Sequence, residues 1–567
     1  MPGEGGATEP QKEQRGSSAR LDSWKEVATY LKRDPRTVRR WERQEGLPVH
    51  RHRHGKKATV YGLTHQIETW LVGRRVTEGA GQLSAGFAPQ PSAGLPSETP
   101  QKDRLARPLI LAVLPLRNLT GDLEQERFAD GLTEELIMEI GQCCPKRLRV
   151  IALTSAMQYK QSPKGIEQIG RELGADYILE GGIHRTGQHV RLAARLIAAR
   201  DQAHIWADSY EVLLPPIFAL QQTLARELAD SLYCELEVKP RQSRPPALAV
   251  SAAAHSAYIE GCSHYKPTDG EFKRRVEALS RAIRLDPAYA AAYAELTLAY
   301  FRVGFMGNIP PLSTFWRLEE LSAKALTLDP GLAQAHVIKA FMDLFSAWRW
   351  PAAEASSRRA IELNPSYGWA RIARAFYHLV VGDTQEAIEE AKLARQLDPR
   401  STDLGIPCAF SAFLARRYEL TVQWCLETLR EDSSIPLAHL VLALGCAKRD
   451  DRTRALTHCE KARELGMLPV PYIATACSVY ALAGQRDTAK RLYADLVAAN
   501  GQEYMRYVFL AHATVSLGDN QRTLEWLEKA YEQRDPFLVL LKADPRFDPL
   551  SGHPRFRNLL RRIGLPR

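Results

Sequence analysis

Prolines recur along the C-terminal half of the chain at a near-constant interval, and the early ones each follow an acidic or amide residue. LDP at 285–287, LDP at 328–330, LNP at 363–365 and LDP at 397–399 are followed by Pro436, Pro471 and Asp535-Pro536. The first six of these prolines lie 43, 35, 34, 37 and 35 residues apart. An interval near 34 residues is that of a unit of two antiparallel helices closed by a turn. Such a unit cannot bury its apolar face alone, so its copies stack into one continuous right-handed solenoid with a shared core. The feature therefore predicts an all-α array of about eight units over residues 255–536, with residues 537–567 as a C-terminal cap.

Residues 368–399 show the unit most clearly. Ala375 is the small residue that lets the first helix approach the second, Gly382-Asp383 the turn, Ala387 and Ala394 the small positions of the second helix, and Pro399 the terminator. These residues resemble a tetratricopeptide repeat, and similar turns recur at Gly484-Gln485 and Gly518-Asp519. The first two units are irregular, the second lengthened by MGNIPPLSTF. The resemblance implies that inner helices are presented to a protein or peptide ligand; the alternative is an array that self-associates or spaces other modules. Residues 465–485 carry no charge, but two prolines and a position across a unit boundary favour a buried helix over a membrane span.

At 567 residues the chain is long enough for several cores, and its 45% hydrophobic and 25% charged composition is that of a folded protein. Its nine cysteines are odd in number and form no C-x-x-C pair, which is a reduced, intracellular pattern. The first residues show no signal peptide, so a cytoplasmic, membrane-free protein is expected. Residues 1–20 read as a disordered tail, 76–107 as a Gly/Pro/Ser-rich linker and 239–254 as a second linker.

Between the linkers, residues 108–238 alternate strand and helix signals and predict a compact α/β domain. PLILAVLPL and RLRVIAL read as strands, and YILEGGIHRTGQHVRLAARLIAAR as two strands about Thr186-Gly187. FADGLTEELIMEIG reads as a helix capped by Asp130, GIEQIGRELG as a second, and IFALQQTLARELADSLYCEL as a closing amphipathic helix. The order of these motifs resembles a TolB-like N-terminal domain, which in bacterial regulators often stands between an effector module and tetratricopeptide repeats. Asn118, Asp122, Asp130, Glu134 and Glu135 suggest a carboxylate site, yet the last three also make an ordinary acidic helix start. No P-loop, Rossmann glycine pattern, G-x-S-x-G or H-E-x-x-H is present, so neither catalysis nor a cofactor is expected.

Net charge is +10, and residues 20–75 hold fourteen Lys or Arg against six Asp or Glu. The basic surface is therefore N-terminal. SWKEVATYLKRDPRTVRRWERQEG fits two helices and a turn: Trp24, Val27, Ala28 and Leu31 share one face of the first, and Val38 and Trp41 one face of the second. Asp34 and Pro35 suit its cap and first position. With Val38 and Trp41 inward, Arg36, Arg39, Arg40 and Arg43 lie on the outer face with Thr37 at its flank, the layout of a recognition helix for the DNA major groove. VHRHRH and ATVYGL then form strands about HGKK, with a helix from Thr64 to Leu71.

This order resembles the winged helix-turn-helix of the MerR and excisionase group over residues 21–75, including the Leu47-Pro48 step into the wing. Lys32-Arg33 stands where a glycine is common in the turn. The resemblance implies double-stranded DNA as a partner, with Arg51, Arg53, Lys56 and Lys57 meeting phosphates from the wing. His50, His52 and His54 share a strand face, but interleaved arginines and the lack of a nearby carboxylate or thiol argue against a metal. The expected protein is multidomain: a winged head, an α/β middle and an all-α solenoid. It would act as a DNA-binding transcriptional regulator, possible homodimer included, with a scaffold lacking sequence-specific DNA binding as the alternative.

Overall fold

The computed structural model describes residues 20–21, 23–31, 37–38, 47, 49–54, 57–63, 67, 108–119, 123–143, 148–186, 189–213, 250–263, 269–306, 311–466, 469–499 and 506–565. They belong to two compact units, Met1–Thr99 and Pro100–Arg567. In the first, β1 (Arg20–Leu21), β2 (His50–His54) and β3 (Lys57–Leu63) make a small antiparallel sheet of order β1-β3-β2, accompanied by the helix α1 (Trp24–Tyr30).

The second unit begins with the α/β domain. Its strands are β4 (Leu109–Val113), β5 (Arg117–Asn118), β6 (Leu148–Val150), β7 (Tyr177–Thr186), β8 (His189–Ala198) and β9 (His204–Leu213); its helices are α2 (Leu123–Cys143), α3 (Leu153–Met157) and α4 (Ile166–Leu173). The sheet runs β6-β4-β7-β8-β9, parallel at β6, β4 and β7 and antiparallel from β7 to β9. Alternation along β4 divides its side chains between two cores. Leu111 and Val113 join Leu132, Leu136 and Ile140 of α2, whereas Ala112 and Leu114 join Ile169 and Leu173 of α4. Gly170 lets α4 lie close to the sheet, since a Cβ there would stand 2.5 Å from that of Ala199.

Two expectations for this domain need correction. Asp130 does not cap a helix: α2 starts seven residues earlier, at Leu123, because LEQER is built of good helix formers. Asp130, Glu134 and Glu135 therefore sit in the helix interior, and Asp130 pairs with Lys160 at 2.6 Å. The two expected strands are joined by a third, β9, which pairs along β8 with a register shift at Leu196/Ile197. The closing helix read at IFALQQTLARELADSLYCEL lies outside the described residues.

The rest of the unit is a series of helix pairs: α5 (Ala252–Ser263) with α6 (Asp269–Leu285), α7 (Ala290–Met306) with α8 (Pro311–Leu328), α9 (Ala333–Phe341) with α10 (Trp350–Leu363), and α11 (Gly368–Val381) with α12 (Thr384–Leu397). There follow α13 (Thr402–Leu414) with α14 (Tyr418–Glu431), α15 (Pro436–Lys448) with α16 (Arg452–Glu464), α17 (Pro469–Leu482) with α18 (Arg486–Ala499), and α19 (Tyr507–Leu517) with α20 (Asn520–Glu532). From α7 onward the first helix of each pair packs on the first helix of the next, so first helices form the inner layer. One apolar core runs from Ala294 to Leu565. The long 43-residue interval is absorbed by α7 and α8, of 17 and 18 residues, where later helices have 9 to 14. Pro436 opens a helix instead of ending one. The uncharged stretch holds the 14-residue α17, and among the described residues no helix is long and apolar enough to cross a membrane.

The backbone keeps a stricter period than the prolines do. Trp348, Gly382, Arg416, Asp450, Gly484 and Gly518, each 34 residues after the last, all have positive φ between 57° and 92°. Each ends the first helix of its pair in a left-handed turn, the conformation that reverses the chain most tightly and that suits glycine. At Gly382 the following Asp383 then caps α12 by accepting from the Glu386 N–H. A Cβ at Gly382 would meet only the flexible end of Lys542, so a substitution costs backbone strain and little else. Gly382→Ala is expected to lower stability by about 1 kcal/mol, read as a shift of the urea midpoint at constant slope. An unshifted midpoint would mean that the turn tolerates another conformation.

Candidate functional site

The N-terminal head was expected to carry the DNA contacts. Ser23 caps α1, accepting from Glu26 N–H at 3.2 Å while its hydroxyl donates to the Glu26 carboxylate, a reciprocal cap that starts the helix. Val27, Ala28, Val38, Leu47 and Ile67 form its core, with Leu21, Trp24, Leu31 and Val49 packed around them. Thr37 and Val38 are helical, Thr37 half-buried and Val38 fully buried. Arg36, Arg39, Arg40, Arg43 and Lys56 lie outside the described residues.

Arg51 and Arg53 lie in β2, paired with Val60 and Ala58 of β3. Lys57 is the first residue of β3 and pairs with His54, the last rung of the β2–β3 ladder. His50, His52 and His54 alternate along β2. Among the described residues no three His, Cys, Asp or Glu gather where they could hold a metal.

In the α/β domain Asp130 and Glu134 share α2. Asp130 is engaged by Lys160, which also binds Glu126 at 2.7 Å. Burial raises the Asp130 carboxyl above its ordinary value, against the hydrogen bond and charge of Lys160. Asn118 lies on β5, and Asp122 is outside the described residues.

A dense polar cluster lies elsewhere, where one corner of the α/β domain meets the repeats. Ala152 N–H donates to Leu397 O at 2.8 Å and Val150 N–H to Ser366 Oγ at 3.1 Å. Arg149 donates to Gln396 Oε1, and Gln158 Nε2 to Arg400 O, both at 3.1 Å. The Arg400 guanidinium reaches Tyr159 OH at 2.9 Å and Glu431 at 2.7 Å, and lies over the Tyr159 ring. At the centre Asp398, 4% exposed, accepts from Ser155 Oγ at 2.6 Å and Thr154 Oγ1 at 2.9 Å. Burial pushes its carboxyl up to about 6, although the hydroxyls of Ser155 and Thr154 favour the anion.

A second cluster anchors the C-terminal segment to the inner layer. Residues after α20 form turns at Pro536–Leu540 and Asp548–Leu550 and the helix α21 (Pro554–Ile563). They run back across the array: Arg416 donates to Ala543 O and pairs with Asp548, Lys448 donates to Pro545 O, and Trp350 Nε1 donates to Gly564 O. Asp544 is buried between Arg546 at 2.5 Å and His512 at 3.2 Å. Burial works against the anion, but Arg546 and His512 hold its carboxyl well below the usual range. Burial, aided by the Arg546 charge, lowers His512 to about 4, so a neutral imidazole donates through Nε2.

Neither cluster was legible beforehand. Asp398 belongs to an LDP that reads as punctuation like the others, and Ser155 and Thr154 lie in a short helix, α3, that the sequence signals did not separate from the strand before it. The internal echo of Asp544-Pro545-Arg546-Phe547 in His553-Pro554-Arg555-Phe556 was the available signal for the C-terminal fold, whose Phe547 and Phe556 rings stack 6.2 Å apart.

Residues 107–227 match the family described as HilA/YgeH-like transcriptional regulator, second domain. Over 196 residues the chain is 33% identical to "Putative adenylate cyclase 3" of Rhizobium meliloti (strain 1021), a match covering 34% of this chain and 32% of that protein. The match thus spans about a third of that relative's length. Among solved structures, Pseudomonas aeruginosa PilF is 16% identical at a TM-score of 0.31, covering 42% of this chain and 97% of that one. Yeast Tom70 is 14% identical at a TM-score of 0.32, covering 61% and 77%.

The Asp544 cluster yields two expectations. Asp544→Ala leaves the buried Arg546 uncompensated and should cost about 3–5 kcal/mol, read as the thermal midpoint of the array. His512 makes stability fall with acid: its contribution is full above the ordinary 6.5 and is lost as pH drops toward 4. At pH 5 the loss is about 2 kcal/mol, and His512→Asn should flatten the slope of unfolding free energy against pH between 6.5 and 5. An unchanged slope in that variant would assign the acid sensitivity to other histidines.

Proposed function

We propose that the chain is a DNA-binding transcriptional regulator in which a winged helix-turn-helix head of the MerR and excisionase type reads duplex DNA and the repeat array takes a protein or peptide ligand. The observation that carries this reading is the match of residues 107–227 to the second domain of HilA/YgeH-like transcriptional regulators, which agrees with an output directed at DNA. The surplus of fourteen Lys or Arg over six Asp or Glu in residues 20–75 supplies the charge. Burial of Val38 supports the orientation in which Arg36, Arg39, Arg40 and Arg43 face outward with Thr37 at their flank. Arg51, Arg53, Lys56 and Lys57 then contribute phosphate contacts that set position.

We assign the α/β domain, TolB-like in its motif order, a connecting role without catalysis. The stretch shared with the Rhizobium meliloti protein is assigned the same role, with output supplied by the head instead of a cyclase. Formation of cyclic AMP from ATP by the full chain would overturn that assignment. The ligand of the array would sit on surface that the C-terminal segment leaves open. The protein acts in the cytoplasm, and a dimer would let two heads span successive turns of the duplex.

Selection of genomic fragments by the full chain, with Arg36, Arg39, Arg40 and Arg43 replaced by alanine as control, tests the reading. One enriched sequence that the control loses is the expected result. On that sequence Arg40→Ala should weaken binding by about 1–3 kcal/mol, and affinity should fall with salt at a log-log slope near roughly −5 for about six phosphates. No enrichment together with a flat salt response would favour a repeat scaffold without sequence-specific DNA binding.

A further inference from the structure

The acidic or amide residue at the end of four second helices in this array has a common task. Asp286 accepts from Ala288 N–H at 3.0 Å, Asp329 from Gly331 N–H at 2.9 Å, Asn364 from Ser366 N–H at 3.0 Å and Asp432 from Ser434 N–H at 2.8 Å. In each case the side chain closes a small turn on the amide two residues ahead, which sets the chain's entry into the next first helix. Asp398 occupies the same place, 34 residues from both Asn364 and Asp432, and departs from the pattern. Its amide two residues ahead, Arg400 N–H, donates to Ser155 Oγ at 2.9 Å, and Ser155 Oγ in turn donates to Asp398. A hydroxyl of the α/β domain is thus wedged into the repeat's own turn, and Thr154 takes the other carboxylate oxygen.

We propose that the Asp398 turn is a two-position latch between the α/β domain and the repeat array: docked, its carboxylate is held by Thr154 and Ser155; released, it closes on its own Arg400 amide; and acidification favours the docked position. The released arrangement needs no new geometry, since four sister turns already adopt it. Both states satisfy the Arg400 N–H, so the exchange leaves no orphaned amide, which is the condition for two arrangements of similar energy.

The pH sense follows from what surrounds the carboxylate. α3 brings only the two hydroxyls; α13 brings Ser401, the thiol of Cys408 and the like charge of Asp403. Arg400 turns away to Tyr159, Glu172 and Glu431, and Arg149 of β6 goes to Gln396, so among the described residues no cation faces Asp398 directly. Lys164 and Tyr159 hold Glu172 at about 2, and burial holds Tyr159 and Cys408 at about 12, so these three keep their charge between pH 5.5 and 7.5. A carboxyl raised on docking binds its proton better docked than released. Docking therefore tightens as pH falls through about 6, and the gain levels off below 3.8. From pH 7.5 to 5.5 the docking constant should rise about fourfold on those two values.

Val150 and Ala152 provide the readout, because both amides donate across the junction. Hydrogen exchange on the full chain should show their opening constants falling about fourfold between pH 7.5 and 5.5, after correction for intrinsic rates. The buried histidines act in the opposite sense, so a rise in protection confined to the junction is distinctive. Asp398→Asn should abolish the change. Thr154→Ala, at an exposed position, removes a bond that favours the anion and should move the midpoint to higher pH. Constant protection in the parent chain, the same change in Asp398→Asn, or an unmoved midpoint in Thr154→Ala would each overturn the latch. The test does not depend on DNA binding.

Discussion

A left-handed turn every 34 residues is the constraint on which the array depends. It reverses the chain within a residue or two, so the two helices of a pair lie close enough for Ala375, Ala387 and Ala394, all fully buried, to mesh without large side chains between them. Where glycine holds the turn it does so without strain. Where Trp348 and Arg416 hold it, the strain of a left-handed non-glycine residue is offset by contacts that glycine lacks. Trp348 packs on Tyr531 and beneath Arg534, and Arg416 grips Asp548 and the carbonyl of Ala543. The same backbone feature thus sets the repeat and provides the posts to which the C-terminal segment is tied.

The junction with the α/β domain follows a different logic from the core. Its bonds are polar and use hydroxyls and backbone amides: Asp398 is held by Thr154 and Ser155, while Arg400 ties Tyr159 to Glu431. Such an interface contributes geometry more than gross affinity, because each bond replaces one that water would make. The α/β domain is consequently held in a defined orientation by contacts that can be exchanged singly, whereas separating two helix pairs means opening a continuous apolar core.

Much of the architecture was readable from residue types because period and small residues carry it. The 34-residue interval, the Gly382-Asp383 turn and the short apolar run PLILAVLPL each map onto a backbone state with few alternatives. The third antiparallel strand escaped because HIWADSYEVL mixes polar and apolar residues without a clean period. The early start of α2 escaped because Asp130 is as good a cap as an interior partner for Lys160, and only the fold decides between them. The Asp398 junction escaped for a stronger reason: its partners, Thr154 and Ser155, are more than 240 residues away, and nothing in an LDP distinguishes a turn that closes on itself from one that is held open.

The path of the C-terminal segment bears on how the chain is made. Arg416 and Asp548 are 132 residues apart, and Trp350 and Gly564 are 214 apart. Helix pairs in the middle of the array can close as they leave the ribosome, since their contacts are local. The posts at Arg416 and Lys448, however, lack their partners until residues 543–548 have been synthesised. A chain truncated just before residue 536 would therefore carry its helix pairs without Phe537, Leu538, Val539, Leu540 and Leu541, which complete their apolar core. Closure of the array therefore waits on residues far downstream of the helix pairs that they cover.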